Sequence, residues 1–148
     1  MKIRRAILRD FKKLYALGKK TPELRVSAIE PFMHKNEFQR TIKSLNSIFL
    51  LAEEKEKIIG FIDINTRDID RPAKYNEACL VYLVVARQAR GQGVASQLYK
   101  AAVPLLKKKG ITHLYAWVTT KNRGATLQFM KKQGFTPGHE YVWMDRKI

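Results

Sequence analysis

The sequence is poor in acidic residues, in cysteine and in long apolar segments. Its 148 residues include 13 Asp and Glu against 29 Lys and Arg, a formal net charge of +16. The single cysteine excludes an internal disulfide, and beside the three histidines it leaves a four-ligand zinc centre without its usual thiols, so we expect no metal. No apolar run approaches the roughly 20 residues that span a bilayer. We therefore expect a soluble, cytoplasmic protein that does not bind membranes.

The remaining composition is that of a globular protein. Hydrophobic residues make up 45% of the chain, which excludes intrinsic disorder despite the high charge. The length suits one domain, and the sequence shows no internal repeat, linker or low-complexity segment. We predict a single domain over residues 1–148.

The positive charge is concentrated in the C-terminal part of the chain. Residues 87–148 contain 12 Lys and Arg but only 2 Asp and Glu. This part is therefore expected to face an anion, whether a phosphorylated cofactor, a nucleic acid or an acidic surface. Taken alone, the basic runs at 107–109 and 131–132 are more typical of the solvated last turn of a helix.

Apolar periodicity and turn residues predict alternating strands and helices. The predicted elements are strand 2–8, helix 10–18, helix 38–45, strands 47–52 and 57–65 as a hairpin, strand 78–85, helix 94–109, strand 113–118, helix 124–133 and strand 141–148, with a further short strand at 135–136 as an option. The strand at 78–85 is apolar at every position, as a central strand covered on both faces requires. The strand–helix–strand unit at 78–118 favours a parallel pair. The fold class is therefore α/β or α+β with a mixed sheet.

The connection between this central strand and the long helix contains two arginines and two glycines. Glycine at 91 and 93 permits a tight turn and the close approach of a ligand to the backbone. The free N–H groups at a helix start attract anions, and the side chains of Arg87 and Arg90 suit phosphate oxygens. The pattern favours a diphosphate-binding turn over a plain tight turn. It is neither a Walker loop nor the dinucleotide fingerprint.

Several motifs in this region point to one family. Arg90-Gly-Gln-Gly93-Val-Ala95 resembles the Arg/Gln-x-x-Gly-x-Gly/Ala signature of the GNAT superfamily of acyl-CoA-dependent N-acetyltransferases. Tyr82-Leu-Val-Val85 resembles that family's fourth strand, and Gln128-Phe-Met-Lys-Lys-Gln-Gly134-Phe135 resembles its closing helix and Gly-Phe turn. The resemblance covers essentially the whole chain. It implies a single-domain fold with a mixed six- or seven-stranded sheet, splayed between strands 4 and 5 and flanked by about four helices.

The resemblance also implies a site for acetyl-CoA in the splay. The pantetheine arm would pair with the fourth strand like an added strand, and the diphosphate would take the N–H groups of the glycine turn. Asn122 would reach the pantetheine from the opposite side. The implied cofactor-binding residues are Leu83, Val84, Val85, Arg90, Gly91, Gln92, Gly93, Val94, Ala95 and Asn122.

Transfer of the acetyl group to a primary amine, by direct attack in a ternary complex, is the implied reaction. The backbone N–H of Val85 is the implied oxyanion donor. Glu77 opens the central strand, and alternation without a bulge would place it on the face of Leu83 and Val85. It is a candidate general base, although a strand-end carboxylate more often only pairs with a surface lysine.

The general acid is the weakest part of the resemblance. Many relatives carry a tyrosine four residues before the glycine of the Gly-Phe turn, and this sequence has Met130 there. Tyr141 or Tyr82 could substitute, although tyrosines in strands more often belong to the core or rim.

Two functions stay open from the sequence. The first is an N-acetyltransferase whose acceptor lies near residues 21–35 and 66–76, where the mixed content does not choose between a small amine and a protein or peptide amine. The second is a basic acyl-CoA-binding module on RNA or the ribosome, with weak or no catalysis. The net charge and Met130 favour the module, whereas the intact glycine turn opposes it. Nucleic acid is thus a possible but unfavoured partner, and a homodimer is compatible with the sequence.

Overall fold

The computed structural model of the chain describes residues 1–25, 27, 32–67, 76–119, 124–140, 142 and 144–148. The strands are β1 (Lys2–Arg5), β2 (Ser47–Glu54), β3 (Lys57–Asn65), β4 (Glu77–Val85) and β5 (His113–Ala116). The helices are α1 (Phe11–Lys19), α2 (Lys35–Lys43), α3 (Val94–Lys108) and α4 (Ala125–Lys132), and 3₁₀ turns form at Leu8–Asp10, Pro22–Leu24 and Arg87–Ala89. None of the helices described is long and apolar enough to cross a membrane.

The strands form one mixed sheet in the order β1-β2-β3-β4-β5. The first four strands pair antiparallel, and β4 pairs parallel with β5. Since α3 connects β4 to β5, the parallel pair predicted from the strand–helix–strand unit is confirmed. The class is α/β with a mixed sheet, as predicted.

The sheet has fewer strands than predicted. Five strands lie in the described part of the chain, and the expected six or seven are not confirmed. The optional strand at 135–136 does not form, because Phe135 follows the left-handed Gly134 (φ +88°) and packs its ring against Tyr99, with centroids 6.1 Å apart. The described residues of the predicted last strand, 142 and 144–148, do not adopt strand conformation and are exposed. Tyr141 and Trp143 lie outside the described residues.

The predicted hairpin is confirmed as the connection between β2 and β3. Glu54 pairs with Lys57, so the turn has two residues. Those residues, Lys55 and Glu56, have φ angles of +47° and +63°. Two consecutive left-handed residues match the right-handed twist of a tight hairpin. The hairpin therefore holds Lys55 and Glu56 in this conformation although neither is glycine.

The sheet is covered on both faces, and each face has its own apolar core. On one face α3 and α4 contribute Leu98, Leu106 and Met130, which are buried against the sheet. On the other face α1 and α2 contribute Leu14 and Phe38. The strand predicted to be covered on both sides, β4, therefore lies between these two layers, which we call the α3–α4 face and the α1–α2 face.

Candidate active site

Strands β4 and β5 separate half way along β4. They pair over four residues, from Glu77 opposite His113 to Leu80 opposite Ala116, where β5 ends. Beyond this point β4 continues to Val85 with β3 as its only neighbour in the described part of the sheet. A gap therefore opens along the edge of β4, at the position of the predicted splay.

The peptide groups that face this gap follow from the hydrogen bonding to β3. The N–H of Ala86 donates to the carbonyl of Ile59 at 2.8 Å. Because successive peptide groups of a strand point to opposite sides, Val84 faces β3, whereas Leu83 and Val85 face the gap. Val84 is also buried, with 1% of its surface exposed. Of the three β4 residues in the predicted cofactor set, two thus present their backbone to the gap.

A β-bulge at Val81 corrects the predicted position of Glu77. Tyr82 pairs with Asp63, but Leu80 already pairs with Ile64, so Val81 is an extra residue in β4. Leu80 packs on the α3–α4 face, whereas Tyr82 packs on the α1–α2 face, so the alternation reverses across the bulge. The prediction that Glu77 shares a face with Leu83 and Val85 is therefore wrong. Glu77 lies on the α1–α2 face.

The glycine turn after β4 has an open backbone. Gly91 and Gly93 have φ angles of +77° and +78°, and a Cβ built on either would meet no heavy atom within 4 Å. Immediately after them α3 begins at Val94, and among the described residues the first three N–H groups of the helix have no carbonyl partner. These amides and the positive end of the helix dipole suit an anion such as a diphosphate. The residues therefore fit the phosphate part of coenzyme A.

The side chain of Arg90 is engaged elsewhere. Its Nη1 donates to Oε1 of Glu23 at 2.8 Å, and its Nε donates to the carbonyl of Val85 at 3.2 Å. The same hydrogen bond from Arg90 lowers the pKa of Glu23 below its ordinary value. The side chain of Arg90 is therefore paired with a carboxylate, whereas Arg87, at the start of the preceding 3₁₀ turn, is exposed.

A second polar feature, which the sequence reasoning missed, lies on the α1–α2 face. Asp63 of β3 has no exposed surface, and Ser47 donates from Oγ to its Oδ1 at 2.7 Å. Its Oδ2 has no partner among the described residues. Burial raises the pKa of Asp63 to about 7, against the opposing effect of the Ser47 hydrogen bond. The sequence signal that could have revealed this feature is an aspartate inside the otherwise apolar segment of β3.

Neither the predicted far-side contact nor a proton donor can be assigned from the described residues. Asn122 and Tyr141 lie outside the described residues. Met130 is 2% exposed and belongs to the α3–α4 core, and its thioether has no proton to donate. Among the residues that the structure describes, no group of three His, Cys, Asp or Glu side chains could hold a metal ion.

The comparisons with known proteins agree with this architecture. Residues 10–135 match the acetyltransferase (GNAT) family, and the chain belongs to it. Over 87 residues the chain is 30% identical to an uncharacterised N-acetyltransferase of Methanocaldococcus jannaschii. That match covers 59% of this chain but 38% of the archaeal protein, so the chain spans well under half of that relative's length.

Solved structures of N-acetyltransferases share the fold. The aminoglycoside N-acetyltransferase AAC(6′)-Iy in complex with CoA superposes with a TM-score of 0.76 at 16% identity, covering 99% of this chain and 100% of the other. The PaiA N-acetyltransferase from Thermoplasma acidophilum in complex with coenzyme A gives a TM-score of 0.71 at 22% identity, covering 91% and 89%. At these identities the likeness shows the fold.

Proposed function

We propose that the protein is a single-domain N-acetyltransferase that moves the acetyl group of acetyl-CoA to a primary amine by direct attack in a ternary complex. One observation carries the proposal: β4 separates from β5 after Leu80 and continues towards a glycine turn whose amides lie open at the start of α3. Membership of the GNAT family supports the reaction class. The coenzyme A complexes of two structural relatives support the co-substrate.

The chain offers two sets of groups to hold acetyl-CoA. The peptide groups of Leu83 and Val85 would pair with the pantetheine arm as an added strand. The N–H groups of residues 90–95 would bind the diphosphate, and Asn122 stays a predicted contact from the far side of the gap. When bound, acetyl-CoA supplies a thioester carbonyl that an amine can attack.

The chain's own groups would assist this attack in two ways. The N–H of Val85 faces the gap, where it would donate a hydrogen bond to the developing oxyanion, since such a fixed donor stabilises charge that appears in the transition state. A carboxylate would take the proton of the amine. Glu77 remains the candidate base from the sequence, now on the α1–α2 face, and Tyr141 remains the candidate acid.

A thiol-release assay tests the proposal. The protein is incubated with acetyl-CoA and, in separate reactions, with monoamines, amino acids, a lysine peptide and a basic protein. We expect free coenzyme A thiol only when both acetyl-CoA and an amine are present. Binding of coenzyme A without amine-dependent thiol release would favour the alternative, a basic acyl-CoA-binding module. Absence of any coenzyme A binding would overturn both.

A further inference from the structure

A cavity of about 410 Å³ lies on the α1–α2 face, with Asp63 in its wall. Helix α2 contributes Glu37 and Arg40, and the bulged Val81 of β4 completes the wall beside Asp63. The volume falls in the range of about 300–1,000 Å³ that small-molecule sites occupy. The cavity is therefore large enough for a small ligand.

The buried carboxylate of Asp63 makes this cavity a candidate ligand-binding site. A carboxylate removed from water costs several kcal/mol unless hydrogen bonds or a cation compensate it. Ser47 supplies one hydrogen bond to Oδ1, and Oδ2 has no partner among the described residues. The fold keeps a costly acceptor whose second oxygen is unused, and a ligand cation would satisfy it.

The cavity adjoins the point where β4 and β5 separate. Val81 lines the cavity and is also the first residue of β4 beyond the last β4–β5 pair, Leu80 with Ala116. Asp63 lies opposite Tyr82, the next residue of β4. A ligand held at Asp63 would thus lie beside the stretch of β4 that is proposed to hold the acetyl donor.

Charge in and around the cavity limits the class of ligand. Asp63 and Glu37 oppose one cation, Arg40, so the described wall carries one net negative charge when Asp63 is ionised. One ammonium group balances this charge. The chain as a whole carries +16, which repels ligands with several positive charges before they arrive. A monoamine therefore suits the cavity better than a polyamine.

Uncharged polar side chains complete the wall and retain hydrogen-bonding capacity. Ser44 accepts from the N–H of Asn46 and keeps its own hydroxyl proton. Asn65 accepts at Oδ1 from the N–H of Arg67 and keeps its amide donors. Ser47 donates to Asp63 and can still accept. Hydroxyl groups on a ligand would pair with these groups, whereas the aliphatic stem of a lysine side chain would leave them unpaired.

We propose that this cavity binds the acceptor, a small hydroxylated monoamine such as an amino sugar, and that Asp63, in place of Glu77, holds its ammonium group and accepts its proton. The inference rests on the proposed acetyl transfer. In the reaction the amine nitrogen forms a bond to the acetyl carbon as the carbon–sulfur bond breaks. The nitrogen loses two protons: one passes to Asp63 and then to solvent, and the other leaves with the coenzyme A thiol.

The ionisation of Asp63 makes this role testable by pH. Its pKa of about 7 lets it bind an ammonium group above neutrality, and its protonation at lower pH removes the proton acceptor. In the described part of the chain, the groups near it are Glu37 and Arg40 of α2, Ser47 of β2 and Tyr82 of β4. Since the Ser47 hydrogen bond lowers the pKa of Asp63, Ser47→Ala is expected to raise it further.

Steady-state kinetics of acetyl-CoA with glucosamine as the probe amine test the inference. Asp63→Asn is expected to lower kcat/KM by at least about a hundredfold, the usual worth of a general base, with unchanged calorimetric affinity for coenzyme A. Ser47→Ala is expected to lower kcat/KM less than Asp63→Asn does and to move the rising limb of the pH profile upward. The control is Glu54→Gln, which removes an exposed carboxylate of β2 outside the cavity and is expected to leave both readouts unchanged.

The possible outcomes distinguish the proposed function, the role of Asp63 and the substrate class. If wild-type protein releases no thiol with any amine, the proposed function fails. If wild-type protein acetylates glucosamine and Asp63→Asn does so equally well, only the role of Asp63 fails. Preference for the polycation kanamycin or a lysine peptide over glucosamine would overturn the substrate class. Unchanged coenzyme A affinity in Asp63→Asn shows that the variant has folded, so lost activity then supports the inference.

Discussion

Arg90 binds Glu23 with its Nη1 2.8 Å from Oε1, while its Nε donates to the carbonyl of Val85. One side chain thereby joins the end of β4 and the glycine turn to the 3₁₀ turn at Pro22–Leu24. The charge of Arg90 is consequently balanced by Glu23. We therefore expect the backbone N–H groups and Arg87 to supply the attraction for the proposed diphosphate, and the two glycines to lie at the centre of the proposed cofactor site.

Alanine at either glycine of the turn is expected to weaken acetyl-CoA binding at least about tenfold. Gly91 and Gly93 both adopt positive φ, where a Cβ costs roughly 1–2 kcal/mol, and the new methyl group would occupy open space that the ligand needs. Isothermal titration calorimetry with acetyl-CoA measures the affinity, and thermal unfolding measures the stability.

Gly110 provides the matched control for this experiment. It has a φ of +72° and no heavy atom within 4 Å of its Cβ position, but it lies at the opposite end of α3. Gly110→Ala is expected to cost similar stability and to leave the affinity unchanged. Equal affinity in the two turn variants and this control would contradict the assignment of the turn.

Asp10→Asn is expected to destabilise the fold by about 2 kcal/mol, because hydrogen bonds to a charged group are worth more than neutral ones. Asp10 accepts from both terminal nitrogens of Arg4, at 2.7 and 2.9 Å, and from the N–H of Ile7. Arg4 also donates to Glu53 through Nε at 3.2 Å. Urea unfolding measures the free energy of unfolding of Asp10→Asn and of Glu53→Gln. Glu53→Gln is expected to lose less stability than Asp10→Asn.

The same carboxylate should contribute to acid sensitivity. The hydrogen bonds from Arg4 hold the pKa of Asp10 below its ordinary value of 3.8. Its contribution is therefore present above that value and is lost as the pH falls through the lower, folded-state pKa. Asp10→Asn should unfold with a flatter dependence on pH below 4. An unchanged dependence would show that other carboxylates control acid unfolding.

Asp63 should have the opposite effect on stability. Because its folded-state pKa of about 7 lies above the unfolded value, ionisation disfavours the fold, and stability falls as the pH rises through 7. Asp63→Asn should remove this fall and raise stability at pH 8 by on the order of 2 kcal/mol. Thermal unfolding between pH 5 and 8 checks the sign. If Asp63→Asn is less stable than wild type at pH 8, the conclusion that the ionised Asp63 destabilises the fold is wrong.

The hairpin turn offers a stabilising substitution remote from both sites. Lys55 and Glu56 hold left-handed conformations that asparagine and glycine adopt more readily. The double change Lys55→Asn with Glu56→Gly is expected to raise stability by about 1 kcal/mol without altering acetyl-CoA binding. Chemical denaturation measures the gain. A loss of stability would mean that these side chains make contacts outweighing the backbone strain.

Local patterns predicted the parts of the fold that depend on local sequence. The hairpin followed from two β-branched runs, and the glycine turn followed from its position between an apolar strand and a helix. The bulge at Val81 could not be predicted, because it is defined by the register between β4 and β3, and it moved Glu77 to the other face. The Asp63 cavity requires α2 to pack over β3, which no local pattern specifies.

The most direct test of acetyl transfer follows the acetyl group itself. Acetyl-CoA with an isotope-labelled carbonyl is mixed with the protein and glucosamine, and the label is followed by carbon NMR. If the protein transfers the acetyl group, the thioester signal is replaced by an amide carbonyl signal, at a rate that Gly91→Ala reduces. A label that stays in the thioester, or that appears only as free acetate, would contradict this transfer.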